Sequence, residues 1–153
     1  MIISFAGHSS ISWKSKVKDL VKKQIENNIT SEEHIICYLG GYGDFDEICA
    51  IACSELKNKY NNTFELIYVT PYITLSEKAK IKEMEKCGFC DATVYPPLEN
   101  VPLRVAISKR NEWMMKNADV VIAYVNRNHG GAFKALQVAK QNEKKVINVF
   151  HFL

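Results

Sequence analysis

The stretch "LGGYGDFDEI", Leu39–Ile48, gathers three glycines and then three acids within four positions. Glycines admit positive φ and close backbone approach, and a helix that follows them offers unpaired N–H groups and a partial positive charge. Gly40, Gly41 and Gly43 followed by a helix would therefore suit an anion such as a phosphate. Asp44, Asp46 and Glu47 at the same spot would repel one. The acids suit a different chemistry: accepting hydrogen bonds from sugar hydroxyls or, if the protein is an enzyme, working through Glu47 and Asp46 as general base or as stabiliser of positive charge developing on a sugar. Acids in a helix's first turn also favour the helix dipole with no further role, and that plain reading stands beside the functional one. Neither standard phosphate motif is present. GxxxxGK followed by Ser or Thr is missing, and "GGYG" lacks the GxGxxG spacing.

A second glycine pair, Gly130-Gly131, follows "VVIAYVNRNH" with no acid between, and Asn126, Arg127 and His129 lie beside it. It is the better anion cradle of the two. Arg110 and Asn111 fall on a helical stripe with Ile107, Met114 and Asn117. There an arginine can offer a guanidinium fork to a phosphate, or serve as an ordinary surface ion-pair residue. Gly7, His8, Ser9 and Ser10 follow the first apolar run and present a cluster of donors, although a histidine at such a place equally serves as a structural hydrogen-bond partner. The "CGFC" of Cys87 and Cys90 has no second pair and no histidine partners, and Cys49 and Cys53 are spaced for core packing. Nothing in these spacings requires a metal or a cofactor.

The elements that must position these residues are legible from hydrophobic patterning. Short apolar, β-branched runs alternate with longer amphipathic ones, the pattern of an α/β domain with a mostly parallel sheet. Strands are expected at Ile2–Ala6, Ile35–Leu39, Glu65–Thr70, Asp91–Tyr95, Val120–Tyr124 and Val146–Phe150, and helices at Trp13–Asn27, Phe45–Tyr60, Leu75–Lys86, Arg104–Asn117 and Gly131–Gln141. Runs such as "VVIAYV" are apolar at successive positions, as strands covered on both faces require. Asn61-Asn62 marks the end of the second helix and Pro71 closes the third strand. The result is a Rossmann-like three-layer α/β/α domain with about six strands. In such sheets ligands bind outside the carboxyl ends of the strands. "GHSS", "GGYGDFDE", "TPYITLSE" and "NRNHGGA" all fall at such ends.

Bulk properties bound the answer further. A chain of 153 residues with 47% hydrophobic and 24% charged residues makes one globular domain, residues 1–153, with no compositional mark of disorder. The amino terminus "MIISFAGH" lacks the basic start and cleavage site of a signal peptide, and no apolar run is long enough for a membrane span. With five cysteines, an odd number, reduced thiols in a cytoplasmic setting are expected. The net charge of +3 is spread over apparent helices, a solvated-face pattern that argues against a nucleic-acid partner.

"ISFAGHSS", "LGGYGDFDEICA" and "SKRNEWMMKNADVVIAYVNRNHGGAFKALQVAKQNEKKVINV" together resemble the SLOG superfamily of Rossmann-like domains, above all its small YpsA-like bacterial branch, over nearly the whole chain. The resemblance implies binding of a nucleotide or a nucleotide-derived small molecule at the carboxyl edge of the sheet. A sensor, carrier or sequestering protein, with links to bacterial or phage defence signalling, would use it, as a homo-oligomer formed through an exposed helix face. By the same resemblance Gly40, Gly41, Gly43, Asp46 and Glu47 line the sugar, while Arg110, Gly130 and Gly131 hold a phosphate. The superfamily includes the LOG phosphoribohydrolases, which carry an arginine before a strand and then GGxGTxxE, whose glutamate acts on an N-glycosidic bond. Here the segment after the strand reads "GGAFKAL", with Ala135 near the glutamate's place, while "GGYGDFDE" matches that spacing on an earlier strand. A nucleoside 5'-phosphate N-glycoside hydrolase is therefore the alternative function, and a protein-interaction domain the third.

Overall fold

The computed structural model describes residues 1–29, 34–60 and 63–153. Six strands form one sheet: β1 (Ile2–Gly7), β2 (Ile35–Leu39), β3 (Phe64–Val69), β4 (Ala92–Val94), β5 (Val120–Tyr124) and β6 (Lys145–Asn148). Their order is β4-β3-β2-β1-β5-β6, and every neighbouring pair is parallel. Among the described residues five α-helices connect them: α1 (Lys14–Asn27), α2 (Asp44–Tyr60), α3 (Leu75–Lys86), α4 (Ala106–Lys116) and α5 (Gly131–Gln141).

Strand β5 shows how the layers are built. Successive side chains of a strand point to opposite faces. Val120, Ile122 and Tyr124 join the core formed with α1 and α2, whereas Val121 joins the one formed with α4 and α5. Both faces are thus covered, which is why "VVIAY" is apolar throughout and wholly buried. On α1 the buried positions Val17, Val21 and Ile25 recur every four residues and make a single stripe against the sheet. Cys49 and Cys53 sit wholly buried in the α2 face of that core.

Differences from the expected elements are confined to their ends. The last strand stops at Asn148 because the Asn148 side chain accepts the Phe150 N–H and starts a turn of 3₁₀ helix over Val149–Phe152. Leu103–Val105 forms a separate 3₁₀ turn ahead of α4, so that helix begins at Ala106 and not Arg104. The fourth strand is shorter than Asp91–Tyr95, and the helix stop expected at Asn61-Asn62 lies outside the described residues. Among the described residues no helix is long and apolar enough to cross a membrane.

Sheet order locates the site. Strand order reverses between β1 and β5, whose chain connections depart in opposite directions, and a crevice opens at the carboxyl ends of such a pair.

Candidate functional site at the sheet switch point

A cavity of about 180 Å³ occupies that crevice. Its walls are Gly7, His8 and Ser9 from the end of β1, Tyr42 and Asp46 from the β2–α2 turn, Arg110 and Asn111 from α4, and Arg127, Gly131 and Ala135 from the β5–α5 segment. Four stretches that are far apart in sequence therefore meet here. Gly7 is required by close approach, since a Cβ at that position would lie 2.2 Å from the ring of Phe45. Phe45, wholly buried, is what pins the start of α2 against the end of β1.

His8 is 4% exposed and is the hinge of the site. Its Nε2 accepts the backbone N–H of Asn126 at 3.1 Å, and its Nδ1 lies 3.2 Å from a terminal nitrogen of Arg127. Burial, and then the positive charge of Arg127, hold the imidazole below its ordinary pKa of 6.5. A neutral ring whose Nε2 accepts an amide carries its proton on Nδ1. The Asn126 N–H and the Arg127 guanidinium thus both face a neutral ring that can accept at one nitrogen only. Beside it, α5 begins at Gly131 without a side-chain cap, its N–H groups unpaired by any capping oxygen.

Arg110 takes a different part from the one the sequence suggests. It is 1% exposed, and one terminal nitrogen donates to the carbonyls of Gly40 at 2.6 Å and Val69 at 2.7 Å, while Nε donates to Asn111 Oδ1 at 2.9 Å. Those bonds tie α4 to the ends of β2 and β3. Its guanidinium is thus committed first to holding the strand ends together, whereas Arg127, on the same cavity, is exposed and meets only the His8 ring among the described residues.

Asp46 is the one carboxylate lining the cavity among the described residues. Its Oδ2 accepts the Tyr42 N–H at 2.8 Å and leaves no room for a side chain at Gly40, where a Cβ would stand 2.7 Å away. Burial raises its pKa, and Arg110 opposes that shift. Gly41 and Gly43 supply the positive φ of 76° and 103° that the turn needs. The other acids lie elsewhere. Asp44 accepts the Ile11 N–H at 3.1 Å and pairs with Lys14, closing the β1–α1 loop. Glu47 is exposed and lines a second cavity together with Gly41, Gly43, Asp44 and Asp46. Of the two acids, Asp46 also lines the switch-point cavity and Glu47 does not. Asn126 contributes its backbone N–H to His8, and His129 and Gly130 are exposed outside the cavity lining.

Three functional elements escape a reading of the sequence. Tyr42 walls the cavity, and its hydroxyl donates to Glu77 at 2.7 Å. Glu77, 5% exposed, also accepts from Tyr68 and from Thr70, the latter at 3.1 Å. Burial works to raise its pKa, but these hydroxyls and Lys80 outweigh it and the net shift is downward. Lys80 lies 3.4 Å from the centroid of the Tyr42 ring, a cation–π contact that fixes the ring's tilt. The "TLSE" of Thr74–Glu77 is a legible capping pattern, and Thr74 does accept the Glu77 N–H at 3.3 Å. The direction taken by the Glu77 carboxylate is not legible in that pattern, because Tyr42 and Tyr68 reach it from other strands' ends.

No protein-family model matches the chain, and no curated protein matches it in sequence. Solved structures do share its fold. DNA processing protein A from Streptococcus pneumoniae superposes with a TM-score of 0.66 at 19% identity, over 94% of this chain and 48% of that one. DNA processing protein A from Helicobacter pylori, whose structure concerns a single-stranded DNA binding mode, superposes with a TM-score of 0.60 at 15% identity, over 95% of this chain and 63% of that one. This chain spans about half the length of the first. The two expectations about partners are corrected by this likeness. Scattered lysines do not argue against nucleic acid, and a nucleotide-derived small molecule is not the indicated partner, because a protein of this fold binds single-stranded DNA. What the comparison shows for the chain itself is the Rossmann-like α/β fold.

Proposed function

We propose that this chain binds single-stranded nucleic acid and grips one backbone phosphate at the switch point between β1 and β5. The observation that carries the reading is the exposed Arg127 guanidinium, 3.2 Å from a His8 ring that also faces the Asn126 N–H, beside the uncapped start of α5. A neutral imidazole accepts at one nitrogen only, a phosphate oxygen supplies the further acceptor, and the helix amides favour its charge. Asp46 stands at the cavity's other wall, where a carboxylate serves a sugar hydroxyl better than a phosphate. The single-stranded DNA bound by a protein of this fold supports the choice of partner. In this reading the domain is of the SLOG type, and its five free thiols suit a reducing, cytoplasmic setting.

Fluorescence anisotropy of a short labelled oligothymidine at low ionic strength tests it. Saturable binding is expected, with log K falling linearly as log salt rises, and unlabelled single strands competing better than the matching duplex. Absence of binding at low salt would refute the proposal.

A further inference from the structure

A cavity of about 490 Å³ lies beside the end of β5, and the chemistry of the site so far described makes no use of it. Trp13, Lys16, Tyr124, Asn126 and Phe150 line it. Two of its lining residues touch His8 of the switch-point cavity. Asn126 lines this cavity and donates its N–H to His8, and the Tyr124 ring meets the His8 ring edge-on at 6.1 Å. Tyr124 and Phe150 pack against each other at 79°, so they form a rigid aromatic corner.

Trp13 is the unusual residue. It is 73% exposed, and its backbone adopts φ 60° and ψ 39°, the left-handed region that bulky residues avoid. It also occupies the N-cap of α1 without a capping hydrogen bond, a place where Ser, Thr, Asp or Asn would stabilise the helix. A strained backbone, an uncapped helix and an exposed indole are all unfavourable to folding. Strain of this kind concentrates where a side chain serves a ligand.

We infer that the Trp13 cavity is a base-stacking subsite: it receives a nucleobase of the strand whose phosphate sits between Arg127 and His8. The inference rests on the proposed binding of single-stranded nucleic acid and adds where the base goes. Every nucleobase has a π-face, so an exposed indole beside a phosphate grip binds single strands with little sequence preference. Lys16, on the lining and one turn along α1, supplies a cation for the next phosphate of the strand. A duplex, whose bases are already stacked on each other, cannot use the subsite.

Trp13→Gly is the informative variant, because glycine adopts the left-handed conformation without strain. Its thermal midpoint is expected to equal or exceed that of the parent, while its affinity for oligothymidine falls about tenfold or more. Trp13→Phe should recover part of the lost affinity. In Trp113→Phe, which leaves Trp13 as the remaining tryptophan, indole fluorescence should be quenched on adding oligothymidine and unchanged on adding an abasic strand of equal length. Three outcomes overturn the inference. If the parent protein binds no oligonucleotide, both it and the proposed function fail. If binding is retained and depends on Arg127 but is equal in Trp13→Gly, the stacking subsite alone fails. If native mass spectrometry shows Trp13→Gly converting a dimer into a monomer with unchanged oligonucleotide affinity, the face belongs to a second copy of the chain.

Discussion

Arg110 and Arg127 face the same cavity and should fail in opposite ways when replaced. Arg110 donates from a fully buried position to the carbonyls of Gly40 and Val69 and to Asn111, and it opposes the upward shift of Asp46. In Arg110→Met two buried carbonyls lose a charged donor, and Asp46 loses the stronger of the two cations that act on it, Lys80 remaining. Stranding such partners is worth roughly 3–5 kcal/mol. For a domain of this size each kcal/mol moves the thermal midpoint by about 2–4 °C, so a fall of about 6–20 °C is expected. Arg127 is exposed, and its polar partner among the described residues is the His8 ring, so Arg127→Ala should leave the midpoint within about 2 °C. The same variant should weaken oligothymidine binding about tenfold and lower the slope of log K against log salt by about one. Thermal melts by circular dichroism and anisotropy titrations at several salt concentrations measure the four quantities. If Arg110→Met melts with the parent protein, or Arg127→Ala is the less stable of the two, the division of labour argued from the hydrogen bonds is wrong.

Three further outcomes follow from the site. His8 has a folded pKa below 6.5, so the unfolded chain binds the extra proton; stability contributed by this group is full above about pH 6.5 and is lost as pH falls from there toward the lowered folded value. Thermal melts between pH 7.5 and 5.5 should therefore show a steeper loss for the parent than for His8→Gln, and equal slopes would refute the linkage. Gly7→Ala places a methyl group 2.2 Å from the Phe45 ring and should destabilise by about 2 kcal/mol or more, read from the urea midpoint at unchanged m-value. Glu77→Ala strands the hydroxyls of Tyr42 and Tyr68, while Thr70 keeps the Tyr72 carbonyl at 2.8 Å, and should destabilise by about 2–4 kcal/mol; a variant within about 0.5 kcal/mol of the parent would show that Glu77 does not hold Tyr42 in place.

Much of the fold is determined by sequence alone. Short runs such as "IISFA" and "VVIAY" read as strands covered on both faces from their length and β-branched content, and the Val17, Val21, Ile25 stripe reads as a helix with one buried face, because these are local properties of the chain. The loops at strand ends were identifiable for the same reason, and Gly7, His8, Ser9, Asp46, Arg110, Asn111 and Gly131 do line the cavity. Element ends were less legible: the Asn148 side chain halts β6 through a hydrogen bond no hydropathy pattern encodes.

The roles within the site depended on tertiary structure. Which strand neighbours β1 is decided by the packing of helices on both faces, and only that order puts Arg127 from the β5 end against His8 from the β1 end. An arginine has the same sequence whether it is free or bonded to two carbonyls. Arg110 therefore takes a structural part that motif reading does not assign it, because the carbonyls of Gly40 and Val69 come within its reach. The acids of "GGYGDFDEI" divide in the same way: Asp44 closes a loop, Asp46 faces the cavity and Glu47 faces outward, since consecutive helical residues diverge by about 100°. Chain composition determines which chemical groups are available, and the three-dimensional path determines which of them meet.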